Sequence, residues 1–373
     1  LCRLGSRFPI CMVLRLSHAV SWGGRVRALT MAAAKAKVGV APGTRPGRRR
    51  RLGRRREARS MRMETTGRAI LAVGAVITDL VCRVPRLPMS GEGVVAEEVR
   101  AAVGGCALNS ANVLRQLGVP YTLFAPVGQG VFAGFVEREL AARGMEALRV
   151  PEGRGDGGAV YDNSGCVCFV EPEGERTMLT LPGIDRHFAA SWFDELDATD
   201  FACGFASGYE VEGAGGDAIV GFFEAHPEVR LYYAPGPRVT QVAAQRTARI
   251  NALHPVWHLN DAEVRAYTGR ASLEEAGFAL SAECGSAVVV TEGARGAHLF
   301  EEGRHVLVPA EPVDVADTIG AGDAHLGALV AARTAGWAWE DALALANRVA
   351  GTVCQVSGGT LSDAAFARLG VSL

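Results

Sequence analysis

From Arg68 to the C-terminus the chain keeps returning to one rhythm, a short apolar run followed by a helical segment that closes on glycine, and few folds accommodate it. The run AILAVGAVITDLV is apolar throughout and ends near Asp79, which suits a strand buried on both faces of a parallel sheet. NSANVLRQLG then reads as a helix closing on Gly118, YTLFAPVG as a strand, and FAGFVERELAARG as a helix closing on Gly144. The alternation resumes in ARINALHPVWHLN, LEEAGFALSAECG, SAVVVTEG, DAHLGALVAARTAG and WEDALALANRVAGTVCQVSGG. This order predicts an α/β fold with a central, mostly parallel sheet flanked by helices and joined by right-handed crossovers. Two segments break the rhythm. Residues 91–105 and 158–183 alternate in the manner of hairpins, so they are expected to form a small β-sheet lid over the end of the main sheet.

Charge divides the chain in two. Residues 1–60 carry fourteen Arg and two Lys against one acid, Glu57, so this segment is +15 while the net charge of the whole is −1. Like charge mixed with Gly and Pro and lacking an apolar period predicts a disordered extension ahead of a domain over residues 61–373. With Met61 and Met63 just ahead of the first strand-like run, it reads first as an extension upstream of a start site; an organellar leader and a nucleic-acid tail are the weaker alternatives, and nucleic acid is disfavoured as a partner of the domain. The leading FPICMVLRLSHAVSW is interrupted by Arg and too short for a membrane span, so no membrane partner is expected. Nine Cys without a CxxC pair point to a reducing compartment, hence a cytoplasmic location, and away from disulfides or zinc. Cys166 and Cys168 fall on one strand face.

The segment DTIGAGDAHLGAL carries the strongest chemical signal. Gly320, Ala321 and Gly322 leave backbone N–H groups uncovered where a helix begins, a natural anion site, and Asp323 follows where it could take a proton. An Asp at that place is also a common helix cap, and on this motif alone the two readings are evenly matched.

Other motifs decide between them. VDVADTIGAGDAHLGAL resembles the C-terminal signature of the PfkB carbohydrate kinases, members of the ribokinase-like superfamily. AAVGGCALNSANVLRQLG is similar to the N-terminal signature of that family, HLNDAEVRAYTG to its Asn-x-x-Glu element, and VVVTEGARGAHLF to its nucleotide-side loop. The four fall in the family's order, and the resemblance covers residues 68–373.

The resemblance implies a ribokinase-like fold and an ATP-dependent phosphotransferase acting on a hydroxyl of a sugar or sugar derivative. Asp323 becomes the catalytic base, and Gly320, Ala321 and Gly322 the anion hole. Asp79, Gly104, Gly105 and Asn109 match the sugar-binding positions, with Arg176 a candidate for reaching the substrate from the lid. Asn260, Thr291, Gly293, Arg295 and Asn347 fall on the nucleotide side, and Glu263 matches the residue that organises Mg2+ through water. Asp317 and the CQVSGGT loop match a place where some relatives bind K+. A homodimer through the lid is a further implication.

Two departures concern the acceptor. Ile77 stands where ribose-specific relatives usually carry Asn, and AHLG replaces the more familiar Thr-Phe-Asn-Gly after the catalytic Asp, so His325 is expected to face the sheet or solvent. Ile77 leaves room for a nucleoside or pseudouridine-type acceptor as the runner-up. A catalytically idle metabolite-binding relative is the competing class. A dinucleotide oxidoreductase is set aside, because VGGCALN lacks GxGxxG spacing.

Overall fold

The apolar run after Arg68 forms two strands in two different sheets, where the sequence pattern suggested one. The structure is a computed structural model that describes residues 67–373; the Arg-rich segment 1–60 and the expected boundary at residue 61 lie outside the described residues. Strand β1 (Ala69–Val73) belongs to the main sheet, and β2 (Ile77–Arg83) crosses into the lid. In β1, Ile70 and Ala72 enter one hydrophobic layer and Leu71 and Val73 the other, which is why no residue there is polar. The run stays apolar past the turn because β2 also packs between strands, so composition alone hides the break.

The remaining elements follow in chain order: β3 (Glu98–Gly104), α1 (Cys106–Gln116), β4 (Tyr121–Val127), α2 (Val131–Ala142), β5 (Ala147–Arg149), β6 (Gly165–Val170) and β7 (Arg176–Leu181). Then come β8 (Phe201–Ser207), α3 (Gly208–Glu212), α4 (Gly216–Ala225), β9 (Arg230–Ala234), α5 (Ala244–Ala252), β10 (Val256–Asn260), α6 (Asp261–Thr268) and α7 (Leu273–Cys284). The chain ends through β11 (Val288–Thr291), β12 (Ala297–Glu301), β13 (Arg304–Val308), α8 (Ala321–Thr334), α9 (Trp339–Val353) and α10 (Asp363–Ala367).

The main sheet runs β13-β12-β11-β10-β9-β8-β1-β4-β5, parallel from β5 to β11 and antiparallel at β12 and β13. Chain order reverses at β1, which lies between β4 and β8. That is where an open α/β sheet leaves a crevice beyond its strand ends. Helices α1, α2, α8 and α9 pack on one face, with Leu108, Val136, Leu329 and Ala346 in a shared core. Ile219, Ile250 and Leu280, from α4, α5 and α7, fill the other.

The lid is a separate sheet ordered β3-β2-β6-β7, built from both expected segments plus β2. Asp79 pairs with Ala102 and Cys166, while Arg83 pairs with Val170 and Val170 with Arg176. Strand alternation therefore puts Asp79, Cys166, Cys168 and Arg176 on one face. Asn163 pins the lid's root: its Nδ2 donates to the Val76 and Pro126 carbonyls at 2.9 and 3.2 Å, and its Oδ1 accepts from Gly128 N at 3.0 Å.

Candidate active site

Helix α8 is rich in Ala and Gly because it lies hard against α1. A Cβ on Gly327 would come within 2.6 Å of the Ser110 carbonyl oxygen, and Ser110 Oγ donates to the Asp323 carbonyl at 2.8 Å. This close approach brings Asn109 to Asp323, whose Oδ2 accepts from Asn109 Nδ2 at 2.9 Å. Asn109 is buried, and its own Oδ1 has no partner. A buried acceptor left open costs free energy unless a ligand donor meets it.

The start of α8 is equally specific. Gly320 has φ 73°, a left-handed conformation that disfavours a side chain, and a Cβ there would lie 2.3 Å from the Gly359 carbonyl oxygen. No side chain caps the helix; the Ala321 N–H is taken by the Thr318 carbonyl at 3.3 Å, which leaves the N–H groups of Gly322 and Asp323 with neither an intrahelical partner nor a side-chain cap. Asp323 sits in that turn. Burial raises its carboxyl above the ordinary range, opposed by hydrogen bonds from Asn109 and Cys106.

The paired glycines at the start of α1 have separate reasons. A Cβ on Gly104 would lie 2.5 Å from Asp79 Oδ2, and Gly105, at φ 111°, would meet the Ala75 carbonyl oxygen at 2.5 Å. Asp79 therefore packs across the backbone at the mouth of α1, its carboxyl pushed up to about 6 by burial.

Asp317 lies just before the turn. Its Oδ1 accepts from Arg176 Nη1 at 3.0 Å and Ile319 N at 3.1 Å, and its Oδ2 from Gly358 N at 3.2 Å. Burial raises this carboxyl, but the Arg176, Ile319 and Gly358 hydrogen bonds prevail and hold it below its usual value. Arg176 thus reaches from the lid to Asp317.

On the far side of the strand ends, Asn260 and Glu263 form a capping box at α6. Asn260 Oδ1 accepts from Glu263 N at 2.8 Å while the Glu263 carboxylate accepts from Asn260 N and Nδ2 at 3.0 and 2.8 Å. Burial, and then the negative charges of Asp261 and Asp323, push Glu263 upward against the backbone hydrogen bond. Among the described residues no three Asp, Glu, His or Cys side chains gather closely enough to chelate a metal directly, so Glu263 fits Mg2+ only as a carboxylate that meets the ion's water shell. Thr291 pairs with Asn260 in the sheet, and its Oγ1 donates to the Leu259 carbonyl at 3.3 Å. Gly293, at φ 54°, lies in the following turn, while exposed Arg295 pairs with Glu292.

Asn347 is buried in α9, with Nδ2 donating to the Val308 carbonyl at 2.9 Å and Oδ1 facing His325 Nε2 at 3.2 Å. His325 faces the sheet, its Nδ1 2.9 Å from His258 Nε2. Since Asn347 Oδ1 can only accept, His325 carries its proton on Nε2 and His258 donates to Nδ1. Burial lowers both imidazoles, His325 to about 4, so the pair is neutral.

Two nearby groups are not marked by any sequence motif. Cys106 hydrogen-bonds Asp323 and stays a thiol, since burial and then the charges of Asp323 and Glu210 push it well above its usual value. Glu210, 2 % exposed, accepts from Ser207 Oγ and is pushed up to about 8, first by burial and then by Asp185. Glu210 sits at the start of α3 beyond the end of β8, which flanks β1, and that placement is the one signal that could expose it; Cys106 opens α1 directly after the lid strand β3.

Residues 68–365 match the pfkB family of carbohydrate kinases. The chain is 31 % identical over 306 residues to the uncharacterized sugar kinase YegV of Escherichia coli (strain K12), covering 79 % of this chain and 91 % of that protein. Among solved structures, the ribokinase of Thermotoga maritima gives a TM-score of 0.68 at 17 % identity, covering 81 % of this chain and 99 % of its own. The ribokinase of Arabidopsis thaliana complexed with ribose and ATP gives 0.66 at 18 %, with 81 % and 98 % covered. These two establish the ribokinase-like fold. The chain belongs to the pfkB family of carbohydrate kinases.

Proposed function

We propose that the enzyme transfers the γ-phosphoryl group of ATP to a hydroxyl of a sugar or sugar derivative, with Asp323 as general base and the first turn of α8 as the anion hole. The observation that carries this reading is the pairing of an uncapped α8 N-terminus with a carboxylate held by Asn109. The acceptor hydroxyl loses its proton to Asp323 as its oxygen bonds to the γ-phosphorus, while the bond from that phosphorus to the β–γ bridging oxygen breaks and ADP leaves with the electron pair. The N–H groups of Gly322 and its neighbours hold the non-bridging oxygens during the transfer.

Asn109 Oδ1 and Asp79 are the groups left to bind acceptor hydroxyls, and Gly104 and Gly105 let the ligand lie against the backbone. Glu263, with Asn260, would hold the water shell of Mg2+, which when bound offsets charge on the phosphates. Thr291, Gly293 and Arg295 flank the nucleotide. Asn347, its amide engaged within the protein, would shape the adenine edge by fixing α9. Potassium is left out of this reading because Asp317 is already engaged by N–H donors. The seven described cysteines are free, which suits the reducing cytoplasm. Val99 and Leu179 leave apolar surface exposed on the lid face opposite Asp79, which favours a homodimer through the lid.

One observation favours a nucleoside or pseudouridine-type acceptor as the second reading. Ile77 lies opposite Gly104 at the lid's root and presents an apolar side chain there. Coupled ADP release with MgATP, over a panel of pentoses, hexoses, sugar acids, sugar phosphates and nucleosides, tests both readings. Acceptor-dependent release by the wild type and its loss in Asp323→Asn are expected; release that the variant retains in full would refute Asp323 as base.

A further inference from the structure

The lid reaches the turn before α8 through Arg176, which meets the buried carboxylate of Asp317. Arg176 opens β7 beside the turn that joins it to β6, on the lid face that also carries Asp79. Its guanidinium is one-third exposed, whereas the Asp317 side chain it meets at 3.0 Å is 4 % exposed. Asp317 is three residues from Gly320, and its Oδ1 also takes the N–H of Ile319, the residue directly before that glycine. Its Oδ2 takes the N–H of Gly358, beside the Gly359 carbonyl against which Gly320 is packed. One carboxylate therefore ties together both strands of chain that shape the anion-hole turn.

A carboxylate so placed needs a counter-charge, because it is buried and its remaining donors are neutral backbone groups. A free monovalent cation would require oxygen lone pairs directed at it. Here each hydrogen bond to the carboxylate comes from N–H, and the neighbouring Cys354 carbonyl accepts from Ala316 N at 2.8 Å and Asp317 N at 3.1 Å. With Arg176 in place the donor set does not fit an added potassium ion, because the planar guanidinium on a lid strand already occupies the cation's position on Asp317 Oδ1.

We propose that Arg176 is a positioning residue, a tethered cation by which the closed lid itself, in place of a free monovalent ion, sets the Asp317 turn. The proposal rests on reading the α8 N-terminus as the phosphoryl site. Acceptor binding under the lid and assembly of the anion hole become one event: the turn is charge-compensated only while β7 lies over it. Bound acceptor that holds the lid shut therefore holds Gly320 to Gly322 in place, and an open lid leaves the turn with an unpaired carboxylate.

The full chain is tested first without an acceptor. Melting temperature is compared in potassium chloride and in tetramethylammonium chloride at equal ionic strength, for wild type, Arg176→Gln, Arg176→Lys and Asp317→Asn. The wild type is expected to melt within about 1 °C in the two salts, whereas Arg176→Gln is expected to melt lower in tetramethylammonium and regain several degrees in potassium. Asp317→Asn should show no response to potassium. Crystals soaked in thallium(I) should show an anomalous peak beside Asp317 in Arg176→Gln and none there in the wild type. Once an acceptor is known, Arg176→Gln should lose about tenfold or more in kcat and recover part of it with potassium, while wild-type turnover changes by less than about twofold.

Selective stabilisation of the wild type by potassium, with thallium at Asp317, would overturn the proposal. So would a folded Arg176→Gln that neither responds to potassium nor loses turnover. If Arg176→Gln fails to fold, Arg176→Lys decides: its single ammonium should leave a partial potassium response, and identity with wild type in both salts counts against the guanidinium's role. The melting and thallium results stand even if no acceptor supports turnover, so failure of the kinase reading remains distinguishable from failure of this one.

Discussion

Helices α6 and α8 both begin beyond the end of a strand region with a short polar residue near the first turn, yet they use it in opposite ways. At α6 the polar groups are turned on the helix itself: Asn260 and Glu263 satisfy each other's backbone N–H groups in a closed box. At α8 the N-cap is a left-handed glycine with no side chain, and Asp323 is bound sideways to Asn109 of another helix. A capped start consumes its donors and stabilises the fold, whereas an uncapped one keeps them for a ligand. Both helices carry an acid at the third helical position, and the N-cap residue differs, Asn260 against Gly320. What separates them further is a neighbouring helix, α1, whose Asn109 holds the α8 carboxylate away from its own backbone.

The comparison is broken most severely by giving α8 a side chain where it has none. Gly320→Val places a β-branched residue at φ 73° and drives it into the Gly359 carbonyl. Turnover should fall by about 10²-fold or more, with a lower melting temperature, in the coupled ADP assay and in thermal unfolding.

Next in size is the diversion itself. Asn109→Leu keeps the shape but frees Asp323, and kcat should drop by about tenfold. The Asn109 hydrogen bond lowers the Asp323 pKa, so its removal should also move the acid limb of the pH–kcat/KM profile to higher pH. An unmoved limb would mean the bond is not holding the carboxylate.

The acids behind the site give a stability test. Glu210 has a folded pKa of about 8 against an ordinary 4.5, so between those pH values the folded protein holds a proton that the unfolded chain has lost. Stability should therefore decline as pH rises from about 4.5 to 8, by an amount on the order of a few kcal/mol. Glu210→Gln removes the titrating group and should flatten this slope in urea titrations at pH 5.5 and 8.5.

The smallest effect belongs to the capped helix. Asn260→Ala opens the box and should cost about 1 kcal/mol of stability, while Asn260→Ser, which can still cap, should recover most of it in denaturant unfolding. Equal losses for both would point to a role beyond the cap.

Much of this was legible from the sequence because it rests on local rules. Alternating apolar runs and glycine-closed helices gave the parallel sheet, and GAGD at a helix start marked the uncapped N-terminus. What escaped depends on contacts between distant segments. The run through Gly74 breaks into β1 and β2 because Ala107 of α1 packs against that glycine, with its Cβ 2.9 Å from where a side chain would begin. Nothing in an apolar run announces such an approach. No motif marks β8, β9 or Glu210, whose environment is made by Ser207 and Asp185. The hairpin pattern places Arg176 in the lid, but its partner Asp317 lies 141 residues away, a pairing that spacing cannot reveal.

The most direct measurement is turnover of Asp323→Asn beside the wild type at saturating MgATP and acceptor, with ATP affinity and melting temperature recorded on the same samples. The variant preserves shape and removes the carboxylate proposed as base. We expect turnover to fall about 10²-fold or more while ATP affinity and melting temperature stay close to wild type. Turnover within a few-fold of wild type would contradict the account, since the carboxylate at the open end of α8 would then not be taking the proton.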